Sequence, residues 1–149
     1  MSHPWNAAPA YIIPHYLMGV RPLEPAYRRV LVAPLPSQAL AASGASLIMP
    51  TLRGSISVSF SWGDGGSDGG SSGSSERGRV FTLDLQLPGN TAAHVCVPAY
   101  LFRVHKQADL RLTMDGAVIA TDDTQRQGGS LCLLRDVKSG RHTVMLTEA

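Results

Sequence analysis

Residues 54–62 read GSISVSFSW. Ile56, Val58, Phe60 and Trp62 alternate without a break with Ser55, Ser57, Ser59 and Ser61. Successive side chains of a strand point to opposite faces, so this strict period of two predicts a strand with one face buried and one in water. Residues 80–87, VFTLDLQL, repeat the pattern, with Phe81, Leu83, Leu85 and Leu87 on one face and Thr82, Asp84 and Gln86 on the other. Two such strands commit the chain to a sheet with a solvated outer face, and the sheet's apolar face needs a second layer to cover it.

The rest of the chain supplies that layer. Residues 29–34 (RVLVAP) and 45–50 (ASLIMP) read as short strands, the first closed by proline. Pro88-Gly89-Asn90 is a turn signal, and Ala93, Val95 and Val97 resume the alternation beyond it. His94 shares a face with Cys96 there, opposite Val95 and Val97. Residues 110–114 and 118–121 flank Asp115-Gly116, a strong hairpin turn. Residues 122–129 read as a polar loop; residues 131–134 and 142–147 read as the last strands, joined through Ser139-Gly140. About eight short strands at this spacing, with no alternation of strand and helix, predict a mainly β fold. The expected architecture is an antiparallel β-sandwich, jelly-roll-like, preceded by a short N-terminal helical segment.

Two stretches depart from strand patterning. Residues 63–78 (GDGGSDGGSSGSSERG) are nearly all Gly, Ser and Asp, so they bury little apolar area and read as a flexible hairpin loop. A glycine–aspartate calcium loop is the alternative, but it needs stacked repeats and one imperfect copy is present. Residues 6–18 have helical character, with Asn6 as N-cap, Pro9 in the first turn and Gly19 as the stop. Pro14 falls mid-helix, where it removes a hydrogen bond, so the segment reads as a kinked helix or two short turns. Its apolar residues Tyr11, Ile12, Tyr16 and Leu17 need a partner surface.

The chain of 149 residues is expected to form one domain, and its sparse charge (16% of residues) fits a surface partly covered by another domain. A net charge of +2, with no lysine- or arginine-rich run, argues against nucleic acid or a membrane surface as partner. No signal peptide and no apolar run near the roughly 20 residues of a bilayer span is seen. Localisation is therefore left open. Cys96 and Cys132 have no metal-ligand spacing and read as buried free thiols, a disulfide between them being the alternative. The five histidines His3, His15, His94, His105 and His142 show no metal-ligand pairing, so no metal and no cofactor is expected. Serines are abundant, but no nucleophile-elbow motif occurs. Of the three glutamates, Glu24 lies between prolines, Glu76 in the glycine-serine loop and Glu148 beside the C-terminus. Asp122 and Asp123 are adjacent in a loop. No carboxylate pair suited to acid/base chemistry emerges, and no catalytic residue is assigned.

The order of segments resembles the C-terminal part of bacterial-type α-L-rhamnosidases of glycoside hydrolase family 78. In that family a His-x-Trp segment precedes the last helix of an (α/α)6 barrel, matched here by His3-Pro4-Trp5 and Pro9-Ala10-Tyr11. A Gly-x-x-Pro connection into a β-sandwich is matched by Gly19-Val20-Arg21-Pro22. The alternating strand at 54–62, the Phe-x-Leu strand at 81–87, the Pro-x-Asn-Thr-x-Ala turn at 88–93, the strand at 95–98 and a final Val-x-Ser-Gly strand at 137–144 follow in the family's order.

The resemblance implies residues 1–25 as the remnant of the last barrel helix and its connector, and residues 26–149 as the sandwich. It implies an accessory domain that packs on or stabilises a catalytic (α/α)6 barrel, in cis or in trans. Such enzymes resemble inverting glycosidases with two carboxylates; the resemblance places those glutamates in the barrel, so this chain is not expected to be active alone. His3 and Trp5 correspond to a segment bordering the sugar subsite and are the substrate-binding candidates. The alternative function is a free-standing carbohydrate-binding module for rhamnose-containing glycans, with Trp5, Tyr100 and Phe102 as the aromatic residues free to line a surface. An independent enzyme ranks behind both.

Overall fold

The computed structural model describes residues 8–64, 79–102 and 109–149. Their strands form two sheets that close on one apolar core. The smaller sheet contains β1 (Val20–Pro22), β2 (Arg29–Val32), β6 (Ala92–Val97), β9 (Thr124–Gln127) and β10 (Ser130–Leu133), in the order β1-β2-β6-β10-β9. The larger contains β3 (Ala45–Thr51), β4 (Gly54–Asp64), β5 (Arg79–Leu87), β7 (Leu110–Met114), β8 (Ala117–Val118) and β11 (Gly140–Glu148), in the order β3-β4-β5-β11-β7-β8. The expected sandwich is what the described residues form.

The two alternating segments become neighbours in the large sheet, with Val58 opposite Leu85 and Phe60 opposite Leu83. Ile56, Val58, Phe60 and Trp62 are buried, as are Phe81, Leu83, Leu85 and Leu87. From the other sheet come Val20, Val30, Val32, Ala93, Val95, Val97, Leu131 and Leu133. Each is the inward member of an alternation, so the core consists of the inner faces of both sheets.

Four local features differ from the sequence reading. The chain enters through α1 (Ala8–Ile12), which widens into a single π-helical turn over Ile13–Leu17. Met18 N–H donates to the carbonyl of Ile13 at 2.9 Å, one residue wider than an α-turn. Pro14 has no N–H, and its ring crowds the carbonyl one α-turn back, so the wider turn is its outlet. A second helix, α2 (Gln38–Ser43), was not anticipated; Ser37 caps it by accepting from the backbone N–H of Leu40 at 3.3 Å, and it packs on β4. The polar stretch expected as a loop contains β9, an edge strand that needs only backbone pairing with β10 and so shows no apolar alternation. Finally, β2 and β6 run parallel, with Val30 opposite Ala93, while every other named strand pair is antiparallel.

Gly19 sets the junction between the terminal turn and the sandwich. Its φ of +69° lies in the left-handed region, and a Cβ there would stand 1.9 Å from the carbonyl oxygen of Ala33. That approach is held by the N–H of Ala33 donating to Gly19 at 3.1 Å. β4 continues through Gly63 and Asp64 before the remainder of the glycine-serine stretch, residues 65–78, which lies outside the described residues.

Candidate functional site: an apolar terminal segment beside the small sheet

Between Met18 and Tyr16 the environment inverts. Met18 is 1% exposed, whereas Tyr11, Ile12, Ile13 and Tyr16 expose between 45% and 57% of their surface. The Tyr11 ring stacks on His15 with centroids 4.2 Å apart and meets Tyr16 edge-on at 6.2 Å. The ring of His15 is fixed by a 2.9 Å hydrogen bond between Nδ1 and the Tyr11 carbonyl. Arg21 on β1 holds its guanidinium 6.0 Å from the Tyr16 ring centroid, a cation–π distance. Leu35 is half exposed, and its N–H donates to Leu17 at 3.0 Å, tying the β2 exit to the π-turn. The result is an ordered cluster of apolar and aromatic side chains facing outward rather than a scatter of single residues.

The outer face of the small sheet adjoins β1. Across it, Arg21 pairs in register with Leu31, and Leu31 with His94. Arg29 makes a two-pronged contact with Asp136, Nε to Oδ2 at 2.6 Å and Nη2 to Oδ1 at 3.0 Å. Asp136 raises the pKa of Arg29 further above its ordinary high value, mainly through that hydrogen bond. His94 Nδ1 lies 3.7 Å from Asp136 Oδ1.

The cysteines correct the sequence reading. Cys96 and Cys132 are not free thiols but a disulfide, with Cα atoms 3.9 Å apart. The register of β6 against β10 sets them directly opposite one another. That pairing joins residues separated by 36 positions, and no local pattern reports it.

The remaining sequence candidates are dispersed. His3 and Trp5 lie outside the described residues. Phe102, expected at the surface, is 4% exposed and packs edge-on against Trp62 with centroids 6.5 Å apart. The strand ends at Val97, and beyond Pro98 the chain turns through Ala99–Leu101 and sends Phe102 inward. Tyr100 stays partly exposed; its hydroxyl donates to the Pro36 carbonyl at 2.7 Å, and burial pushes its pKa up. Glu24 pairs with Arg28 at 2.5 Å, and Asp122 and Asp123 sit exposed in the turn before β9. These carboxylates are not brought together.

Sequence reasoning missed one cleft. It has a volume of about 650 Å³ and lies between the β1–β2 connection and the β3–β4 turn, with Leu23, Tyr27, Pro50 and Leu52 among its apolar walls. Its floor includes Ala26 and Tyr27, both with left-handed backbone at φ +54° and +56°. Such conformations cost energy in residues bearing a Cβ, and the proline at 25 was the only local sign of a turn.

A sandwich of two mainly antiparallel sheets entered through an apolar helical turn defines the class of domain. Residues 19–68, from Gly19 through β4, match the family model of the bacterial alpha-L-rhamnosidase C-terminal domain. The fold matches the alpha-L-rhamnosidase from Dictyoglumus thermophilum with a TM-score of 0.66 and 18% identity, over 90% of this chain and 13% of that one. It matches the Streptomyces avermitilis alpha-L-rhamnosidase, solved with L-rhamnose, with a TM-score of 0.60 and 20% identity, over 89% of this chain and 10% of that one. No curated protein sequence matches. Over residues 19–68 the chain is similar to the C-terminal domain of bacterial α-L-rhamnosidases, and across most of its length it shares the fold found in two of those enzymes. The chain spans only about an eighth to a tenth of the length of the enzymes it matches.

Proposed function

We propose that this chain is the accessory β-sandwich that packs on the catalytic (α/α)6 barrel of an α-L-rhamnosidase-like glycoside hydrolase, in cis or in trans. The observation that carries the reading is the exposed cluster of Tyr11, Ile12, Ile13 and Tyr16 immediately before the buried Met18. A helical turn with its apolar side chains in water is stabilised by a second body that covers them, and the other helices of a barrel would supply one. The junction falls within residues 1–25, whose last part, Val20–Pro22, already pairs with β2. Through that junction His3 and Trp5 would border the sugar subsite of the barrel, one offering a hydrogen bond and the other an apolar wall. The hydrolytic carboxylates would be supplied by the barrel.

The test is an aryl α-L-rhamnoside assay on this chain alone and on a version carrying the barrel. The expected result is hydrolysis by the second only, with loss of activity or solubility when Tyr11 and Ile12 are replaced by serine. Hydrolysis by the short chain would overturn the reading.

The cleft beside Tyr27 favours a second reading, binding of a rhamnose-containing glycan by the sandwich itself. Its apolar walls suit the hydrophobic face of a deoxy sugar. Calorimetric titration decides it: saturable binding that Tyr27→Ala abolishes supports a carbohydrate-binding role, and no heat at millimolar glycan removes it.

A further inference from the structure

The disulfide has a neighbour whose chemistry matches its own. His94 and Cys96 are two residues apart on β6, so both point away from the core that Val95 and Val97 enter. Cys132 faces Cys96 across the β6–β10 ladder. A ring nitrogen of His94 and the two sulfurs all lie within 4.8 Å of one another. The cysteines are nearly sealed, at 5% and 1% exposure. His94 Nδ1 is buried without a hydrogen-bond partner, an unmet demand in a site already crowded with donor atoms. Asp136, itself fixed by Arg29, stands 3.7 Å from that Nδ1; a carboxylate on the Nδ1–H side would hold the ring and leave Nε2 as the nitrogen for a metal.

Two thiolates and one imidazole would supply three of four tetrahedral ligands, with water as the fourth, a donor set that selects zinc and its analogues over hard cations. We propose that reduction of the Cys96–Cys132 disulfide turns this spot into a Cys2His site for a zinc-like divalent cation, so that a covalent bond and a metal are alternative ways of closing β6 onto β10. The balance is explicit. A dithiol supplies two electrons and two protons, the S–S bond breaks, two thiols form, and the reductant leaves as its own disulfide. The cation then displaces both thiol protons to solvent. The sulfurs must separate to about 3.8 Å around an ion with metal–sulfur bonds of about 2.3 Å, a change that rotation about the Cα–Cβ bonds supplies. The oxidised form cannot bind the ion, because its sulfurs are already bonded to each other. This inference goes beyond barrel docking and does not depend on it.

The full chain is reduced anaerobically, freed of reductant and titrated with Co2+, followed by competition with Zn2+. The expected result is uptake of one equivalent with thiolate-to-cobalt charge transfer and tetrahedral visible bands, bleached by zinc and absent from the oxidised chain. His94→Ala removes a ligand and should weaken binding by more than the roughly 10- to 100-fold expected for an outer-shell change, while its oxidised form keeps the native circular dichroism. Asp136→Asn should weaken it less. If reduction alone loosens the fold, stoichiometric zinc should restore the spectrum. Absence of saturable one-to-one uptake overturns the proposal. So does uptake that His94→Ala leaves unchanged, equal uptake by the oxidised chain, or a reduced chain that zinc does not refold.

Discussion

The two outer faces of this sandwich obey the same alternation and carry opposite chemistry. The large sheet presents Ser55, Ser57, Ser59 and Ser61 beside Thr82, Asp84 and Gln86, then Arg141 and Thr143. These groups satisfy one another and water: Thr143 Oγ1 donates to Asp84 at 2.6 Å, and Arg141 approaches Gln86 at 3.5 Å. The small sheet presents Leu31, His94 and the sealed Cys96–Cys132 pair, and leads through Arg21 to the exposed Tyr16. A face built mostly of serine, threonine and ionised groups, with Ile48 and Met145 as scattered apolar members, asks little of a neighbour. A face of leucine, imidazole and disulfide beside bare tyrosines and isoleucines is stabilised by being covered. The contrast sets the apolar terminal segment and small sheet apart from the polar large sheet, although both faces share one core.

The comparison can be broken first at the core they share. Phe81 is fully buried between them, so Phe81→Ala should cost about 3–5 kcal/mol in urea unfolding. A loss below 1 kcal/mol would mean that the two sheets do not share the packing described. Next comes the small sheet alone. Reducing the disulfide without metal releases a loop of 36 residues, which corresponds to about 4 kcal/mol of chain entropy. The urea midpoint of the reduced chain should fall accordingly; an unchanged midpoint would show that the strand pairing alone holds β6 to β10. Gly19→Ala places a Cβ into the Ala33 carbonyl and should cost at least about 2 kcal/mol, with β1 losing amide protection before the rest of the small sheet.

Smaller effects sharpen the contrast. Asp115 at the β7–β8 turn is held below the ordinary carboxylate pKa, chiefly by its 2.7 Å hydrogen bond from His142 and then by the Thr143 N–H. A depressed folded-state pKa contributes stability that is present above the unfolded value, near pH 4, and disappears as pH falls through the folded value. The urea midpoint should therefore drop as pH falls below about 4, and Asp115→Asn should flatten that drop. The smallest effects belong to the outer faces. Ser57→Ala and Ser59→Ala should move stability by no more than about 0.5 kcal/mol. Tyr11→Ser with Ile12→Ser should also leave unfolding nearly unchanged, yet shift the isolated chain from self-associated to monomeric in sedimentation velocity. If the serine substitutions change association and the terminal ones do not, the assignment of the two faces is reversed.

Much of the fold was legible because strand faces are written locally. The period-two runs at 54–62 and 80–87 gave both strands, their buried sides and their pairing through a hairpin. Asp115-Gly116 gave the β7–β8 turn, and Gly19 gave the end of the terminal helix. The apolar character of the opening segment at Tyr11, Ile12 and Tyr16 was legible from composition, and the structure leaves these residues exposed. The cleft beside Tyr27 was not legible, because left-handed backbone at Ala26 and Tyr27 follows no residue preference. Phe102 was misplaced because periodicity says nothing once a turn resets the direction of the chain.

The sequence by itself determined which residues face inward, since alternation depends only on the geometry of one strand. It also determined that the opening segment is apolar where the sandwich offers no cover. Only the tertiary structure decided the parallel pairing of β2 with β6, the edge position of β9 and the meeting of His94, Cys96 and Cys132. Those depend on which distant strands become neighbours, and at what register. That choice is made by the collective packing of two apolar faces rather than by any stretch of chain read alone.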